Sequence, residues 1–397
     1  MDERKPAALS ALVIDEDWEQ ALEQALAQIK DIAADVIFFF ANIEFAPYFP
    51  TMLRILRRAT GTPILIGCSG QGIIGSDQEL EDLPAISLLA LKLPGAKLQP
   101  VRLTQEILEA SKGAQGLREQ LGIELDEVNA WFMLADPFQM DCETLVEKFS
   151  QAYPSLPMIG GLASGDIEDR ESYIFYNDDV YEDGAIGLAI SGDYTILPLV
   201  SQGCDPIGEA WTITKVLDNG LIEGISNRSA HRMLIDTLQT LSPELQRRAQ
   251  RNLLVGLAAD EYQDAYERGS FLVRQLFGVD RRTGALAVGA QARVGQTIQF
   301  QLRDATSADL DLHELLLQAK IDLGDNQPIA GLLCTCNGRG IGMFGVPDHD
   351  AGVIARELGQ IPLSGLFCNG EIGPVGQRVF LHGFTASLGL IIKKDPA

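Results

Sequence analysis

Pro63-Ile64-Leu65-Ile66-Gly67-Cys68-Ser69-Gly70-Gln71-Gly72 is the stretch on which the reading of this chain turns. A proline opens three apolar residues, the composition of a short buried strand, and that strand runs straight into Gly-x4-Gly. Upstream, Val36 to Phe40 reads as another strand, and Met52, Ile55, Leu56 and Ala59 form a helical stripe that stops at Gly61. The unit is therefore strand, loop, amphipathic helix, proline, strand, glycine loop.

The unit recurs twice, and a repeat of this kind outranks any local signal. In the second copy Ala130 to Leu134 is the first strand, Leu145, Phe149, Ala152 and Tyr153 the helix stripe, Pro157 the opener, and Gly160-Gly161-Leu162-Ala163-Ser164-Gly165 the loop. In the third, Ile329 to Cys336 precedes a helix from about Asp348 with Ala351, Ile354 and Leu358 inward. Gly359 stops that helix, and Pro362 leads to Gly365-Leu366-Phe367-Cys368-Asn369-Gly370. An isoleucine follows two residues after each final glycine: Ile74, Ile167 and Ile372. Ile73 takes the place held by Asp166 in copy two and Glu371 in copy three, so a polar ligand should lean on the C-terminal loops.

Strand–helix–strand order favours parallel pairing, and open α/β sheets place ligands beyond the carboxyl ends of such strands. Glycine at that edge serves turn geometry or close approach of backbone to a ligand, and both readings stand. Between copies two and three the texture changes to short β runs from Tyr173 to Val200 and from Phe271 to Leu302, with Asp218-Asn219-Gly220 as a hairpin turn. The expectation is an α/β fold of repeated strand-helix-strand units in mixed sheets, stacked as αββα layers. Two portions are expected, residues 11–220 and 221–392, and the first ten residues and Lys393 to Ala397 read as tails.

Length and composition bound the function. The 397 residues exceed one ordinary domain. A formal charge of -24 repels phosphate backbones, so nucleic acid is an unfavourable partner. The run Ala7 to Ile14 ends in Asp15-Glu16-Asp17 and is too short for a signal peptide, and no apolar run approaches the roughly 20 residues of a span, so no membrane insertion is expected. Six cysteines without framework spacing suit a reducing compartment, and the chain is placed in a cytoplasm.

No cofactor or metal is expected. Gly70-Gln71-Gly72-Ile73-Ile74-Gly75 and Gly340-Ile341-Gly342-Met343-Phe344-Gly345 satisfy the dinucleotide string, but neither opens a long helix directly after a strand. Cys334-Thr335-Cys336 puts two thiols on one strand face without the spacing of a zinc site. A nucleophile-elbow motif is lacking, which removes the simplest hydrolase reading.

The densest polar constellation lies in copy three: Asn337, Arg339, Asp348 and His349, then Asn369, Glu371, Arg378 and His382. Asp348 reads as a helix N-cap, which places His349 in an exposed first turn. Arg339, between Gly338 and Gly340, has no such local task, and its planar fork suits a ligand carboxylate or phosphate while Glu371 takes an amine or hydroxyl. Cys68, between a glycine and a serine, is expected to be an accessible loop thiol, with Cys334 and Cys336 in strand core.

Taken in order, Gly67-Cys68-Ser69, Gly184-Ala185-Ile186-Gly187, Gly338-Arg339-Gly340, Phe344-Gly345 with Pro347-Asp348-His349, Pro362-Leu363-Ser364-Gly365, Gly370-Glu371-Ile372-Gly373-Pro374-Val375, and Phe380-Leu381-His382 with Thr385 resemble the FIST family of F-box and intracellular signal transduction proteins. The resemblance spans about Ala11 to Ile392. It implies a sensory module for a small ligand, an amino acid or related anionic or zwitterionic metabolite. No output segment is visible in the sequence, so a separate signalling protein would read the bound state. The ligand set expected is Cys68, Ser69, Gly72, Asn337, Arg339, Gly340, Asp348, His349, Asn369, Glu371 and His382. The alternative is an enzyme with a loop cysteine as nucleophile or a His349/Glu371 acid–base pair.

Overall fold

The computed structural model describes residues 5–261, 266 and 269–394. They fall into two compact units, one made of residues 1–200 and 313–397 and the other of 201–312.

The first unit holds all three repeats. Each is a pair of parallel strands joined through a helix: Val36–Asn42 with Leu65–Gly70, Ala130–Ala135 with Met158–Leu162, and Ala330–Cys336 with Leu363–Cys368. The connecting helices are Phe49–Thr60, Cys142–Ala152 and His349–Leu358. Local chemistry sets their limits. Asp141 caps the second by accepting from the Thr144 N–H at 3.0 Å, while Gly61 and Gly359 end the first and third at φ of +67° and +82°.

The first glycine of each Gly-x4-Gly is not in a loop. Gly67, Gly160 and Gly365 lie mid-strand, opposite Phe39, Met133 and Leu333 of the parallel neighbour. A Cβ at these positions would meet the carbonyl oxygen of that neighbour at 1.7, 1.8 and 1.9 Å. The repeat thus conserves one steric requirement at one register position, and the three units are structurally equivalent.

Each parallel pair forms the middle of a six-stranded sheet. Beyond its first strand lie two further strands; beyond its second lies a hairpin taken from another repeat. The hairpin of copy one, Gly72–Gly75 with Gln78–Glu81, completes the third sheet. That of copy two, Ile174–Tyr176 with Asp179–Tyr181, completes the first, and that of copy three, Glu371–Val375 with Arg378–His382, completes the second. The exchange is cyclic.

Alternation along the strands divides them between cores, because successive side chains point to opposite faces. Val36, Phe38 and Phe40 join Phe132, Leu134, Leu332 and Cys334 in one inner core, whereas Ile37, Phe39 and Ala41 pack outward with Phe49, Met52, Leu53 and Leu56 of the helix. Three sheets share that inner core, and Phe38 meets Phe132 edge to face at 5.1 Å. The expected layering of helices outside sheets is present, with three sheets taking part.

Several local expectations need correction. Ala7–Ile14 is a strand paired with Ala85–Lys92, so the first ten residues are not all tail; Lys393 ends the strand Ala386–Lys393, and residues 395–397 lie outside the described residues. Ile55 is 39% exposed because the buried stripe of its helix runs through Leu53 instead. Ile167 is 58% exposed: copy two makes an excursion before its hairpin, so Phe175 occupies the place opposite Gly67 that Ile74 and Ile372 occupy opposite Gly365 and Gly160. By the same register Ile174, not Asp166, corresponds to Ile73 and Glu371.

The second unit is a seven-stranded sheet with helices Ala230–Thr240 and Pro243–Asn252, closed over Ile213, Val255, Leu257, Ile298 and Phe300. Asp218 to Gly220 turns the hairpin between Cys204–Val216 and Ile222–Ile225 inside this unit, and Gly220 supplies the needed φ of +82°.

Candidate functional site

The cyclic exchange brings the ends of the three repeats together. Gln71, Ser164 and Asn369 each stand four residues after their repeat glycine. The Gln71 N–H donates to Ser164 Oγ at 2.8 Å, Ser164 Oγ donates to the Phe367 carbonyl at 2.5 Å, and Asn369 Nδ2 donates to the Ala163 carbonyl at 3.3 Å. Ser69 Oγ donates to the Ser164 carbonyl at 2.8 Å, and Asn337 Nδ2 to Asn369 Oδ1 at 2.7 Å. Asn337 Oδ1 is buried with no hydrogen-bond partner. Such an acceptor is costly unless something donates to it.

Glu371 lies two residues beyond Asn369 and faces the inner core, as Ile73 and Ile174 do at the same position in the other sheets. Its Oε2 accepts from the Thr385 N–H at 3.0 Å and Thr385 Oγ1 at 2.7 Å, and its Oε1 accepts from Cys368 Sγ at 3.4 Å. Burial pushes this carboxyl up to about 7, against the hydrogen bonds from Thr385 and Cys368 and the more distant charge of Arg339. His382, its cross-strand neighbour, is buried with Nε2 3.0 Å from the Gly373 carbonyl.

A second cluster surrounds Arg339, which is fully buried. Its Nε donates to Asp350 Oδ2 at 2.7 Å and its Nη2 to Asp350 Oδ1 at 2.9 Å. Thr335 Oγ1 also donates to Asp350 Oδ2, and His349 Nδ1 stands 2.9 Å from Oδ1. Phe344 lies 5.4 Å from the guanidinium carbon and stacks on the His349 ring. The exchanged hairpin closes the cluster: Glu79 Oε1 accepts from the Ala351 N–H at 2.9 Å, and Glu81 Oε1 from the Ile341 N–H at 2.7 Å. The Glu81 carboxyl packs so tightly on Gly340 that a Cβ there would overlap it at 2.1 Å. Burial would raise Asp350, but Arg339 and His349 hold it well below the carboxylate range, while burial and the Asp350 charge push Glu79 up to about 8.

Three expectations fail here. Arg339 does have a local task, the fork to Asp350, and that residue rather than Glu371 is its counter-ion. Asp348 makes no capping bond. It adopts φ of +58° and accepts from the Glu79 N–H at 2.7 Å, and His349 has a side chain only 9% exposed. Cys68 is a fully buried strand residue, because alternation along Leu65–Gly70 turns it into the inner core. Burial raises Cys68, Cys334 and Cys368 above the usual thiol range, so none of the three is a ready thiolate nucleophile without a base beside it. His349 and Glu371 belong to different hydrogen-bonded groups. Gly72 begins the exchanged hairpin, against the Phe367 ring.

Sequence reading missed Gln71, Ser164, Glu79, Asp350 and Thr385. The triplet Asp348-His349-Asp350 offered a signal for one of them, since a buried arginine needs an acid nearby. Glu79 arrives through hairpin exchange and leaves no local trace. Among the described residues, no group of three or more His, Cys, Asp and Glu is placed to hold a metal ion, and no helix is long and apolar enough to cross a membrane.

Comparison with known proteins agrees with the motif order. An uncharacterized protein of Mycobacterium tuberculosis strain H37Rv is 36% identical over 341 residues, 86% of this chain and 87% of that one. An uncharacterized protein of Mycobacterium bovis is 36% identical over 383 residues, 95% of this chain and 96% of its own length. Among solved structures, a cyanuric acid hydrolase from A. caulinodans covers 98% of this chain and all of its own at 10% identity, with a TM-score of 0.38. The FIST N domain matches residues 35–228 and the FIST C domain residues 231–374, and with these relatives they establish that the chain belongs to the FIST family.

Proposed function

We propose that this chain is a small-ligand sensor whose ligand carries an amine and docks where the three repeats meet. The observation that carries the reading is the buried Asn337 Oδ1, an acceptor awaiting a donor beside Asn369. An ammonium or amine N–H supplies that donor. The acidic balance of the molecule favours a cationic or zwitterionic metabolite over a bare anion. Arg339, forked onto Asp350, takes the part of a positioning residue that fixes the segment after Asn337. The bound state would be read by a separate protein, as the signalling association of the family suggests.

A thermal-shift screen over amino acids, other amines, organic acids and nucleotides tests this, because a ligand that binds only the folded state raises the melting temperature. Amine-bearing compounds should raise it, and Asn337→Ala should fold yet lose the response. A response confined to anions, or one that survives Asn337→Ala, overturns the assignment.

A further inference from the structure

Cys336 and Cys368 are directly opposed in the parallel register of the third repeat. Neighbouring strands lie about 4.8 Å apart, inside the ~4.4 to 6.8 Å range of Cα separations that a disulfide spans. Opposed residues of a pair project to the same face, so both thiols turn toward the inner core that holds Cys334 and Cys368. Cys334, two residues earlier and opposite Leu366, is displaced from Cys368 by a further ~6.6 Å along the strand, beyond that range. Cys336 is half-buried while Cys368 is fully buried. Cys368 Sγ donates to Glu371 Oε1 at 3.4 Å.

We propose that Cys336 and Cys368 form a reversible redox site, with Cys336 oxidised first by a peroxide, Cys368 resolving it, and Glu371 receiving the resolving thiol's proton. In the first step Cys336 sulfur forms a bond to one peroxide oxygen, the O–O bond breaks, and the leaving oxygen departs as water, giving a sulfenic acid. In the second, Cys368 sulfur attacks Cys336 sulfur, the S–O bond breaks, and the Cys368 proton passes through Glu371 Oε1 to the departing hydroxide as a second water. Two thiols lose two electrons, one hydrogen peroxide gains them, and a dithiol reductant reverses the change. Burial raises the Cys368 thiol, so a base beside it is what this step requires, and Glu371 is there. The pair immediately precedes Asn337 and Asn369, so oxidation would reshape the proposed amine site; that consequence alone rests on the functional reading above.

The test treats the full chain with stoichiometric hydrogen peroxide, alkylates remaining thiols, and maps peptides by mass. The expected product is a cross-link between the peptides bearing Cys336 and Cys368, 2 Da lighter than the reduced pair and reversed by dithiothreitol. It should persist in Cys334→Ser and vanish in Cys336→Ser. Cys368→Ala should leave a sulfenic acid on Cys336 that dimedone traps, and Glu371→Gln should slow the closure of the cross-link several-fold without slowing that first oxidation. Cross-linking through Cys334 instead, or over-oxidation of Cys336 with Cys368 unchanged, overturns the proposal. Mass mapping needs no ligand, so failure here is separable from a silent thermal-shift screen.

Discussion

A buried guanidinium stands or falls with its counter-ion. Arg339 and Asp350 are both essentially inaccessible and joined by two parallel hydrogen bonds, so removing one leaves an uncompensated buried charge. Arg339→Ala should lower unfolding free energy by about 3 to 5 kcal/mol in urea titration, and Arg339→Lys, which keeps charge but loses the fork, should cost nearly as much. Arg339→Met combined with Asp350→Leu should recover most of the loss; if the double variant is as unstable as the single ones, the pair is not the unit of stability. The importance of Arg339 was legible in its glycine-flanked position. Its counter-ion was not, because Asp350 reaches it only when the helix His349–Leu358 folds back on the strand end.

Within the strands, the repeat glycines answer to sterics. Gly365→Ala would drive a methyl into the Leu333 carbonyl oxygen, and the same holds for Gly67 and Gly160 with Phe39 and Met133. Each substitution should destabilise by about 3 kcal/mol or more, since backbone cannot step aside as a side-chain tip can. Gly342→Ala, with nothing within 4 Å of the new methyl, should change stability by less than about 1 kcal/mol. Chemical denaturation of the four variants checks the contrast. Equal effects at Gly342 and Gly365 would mean that chain entropy, not close approach, explains the repeat. The periodicity of these glycines was readable, but their assignment to loops was not correct, because a glycine in a strand and one in a turn look alike until the neighbouring strand is in place.

For the molecule as a whole, two buried acids set the direction of its pH response. Glu79 titrates at about 8 rather than 4.5, so between those values the folded chain holds a proton that the unfolded chain has released. Stability contributed by that site is full below about pH 4.5 and is lost as pH rises to about 8; Glu371 acts in the same sense up to about 7. Asp350 acts oppositely, its contribution fading as pH falls below the ordinary carboxylate range. The melting temperature should therefore decline from about pH 5 to 8, by an amount worth a few kcal/mol, and Glu79→Gln should flatten much of that slope. A variant with the parental slope would show that Glu79 is ionised throughout.

Local pattern by itself determined that the chain is α/β, that three strand-helix-strand units repeat, where their helices stop, and which family the motif order belongs to. Those features depend on residue periodicity, on helix-ending glycines and on turn chemistry, all of which act over a few neighbours. Only the tertiary structure decided that each repeat lends its hairpin to the sheet of another, that Glu79 of copy one accepts from the Ala351 N–H of copy three's helix, and that Ser164 joins Gln71 to Phe367. It also decided that Cys68 is core. The physical reason is that each exchanged hairpin pairs with a strand more than a hundred residues away, and any hairpin with one apolar face satisfies the hydrogen bonds of any sheet edge. Which edge it joins is chosen by the packing of the completed core, as at Gly161, where a Cβ would meet Cys334 and Cys368 at about 3 Å, and that choice is written in no single stretch of the chain.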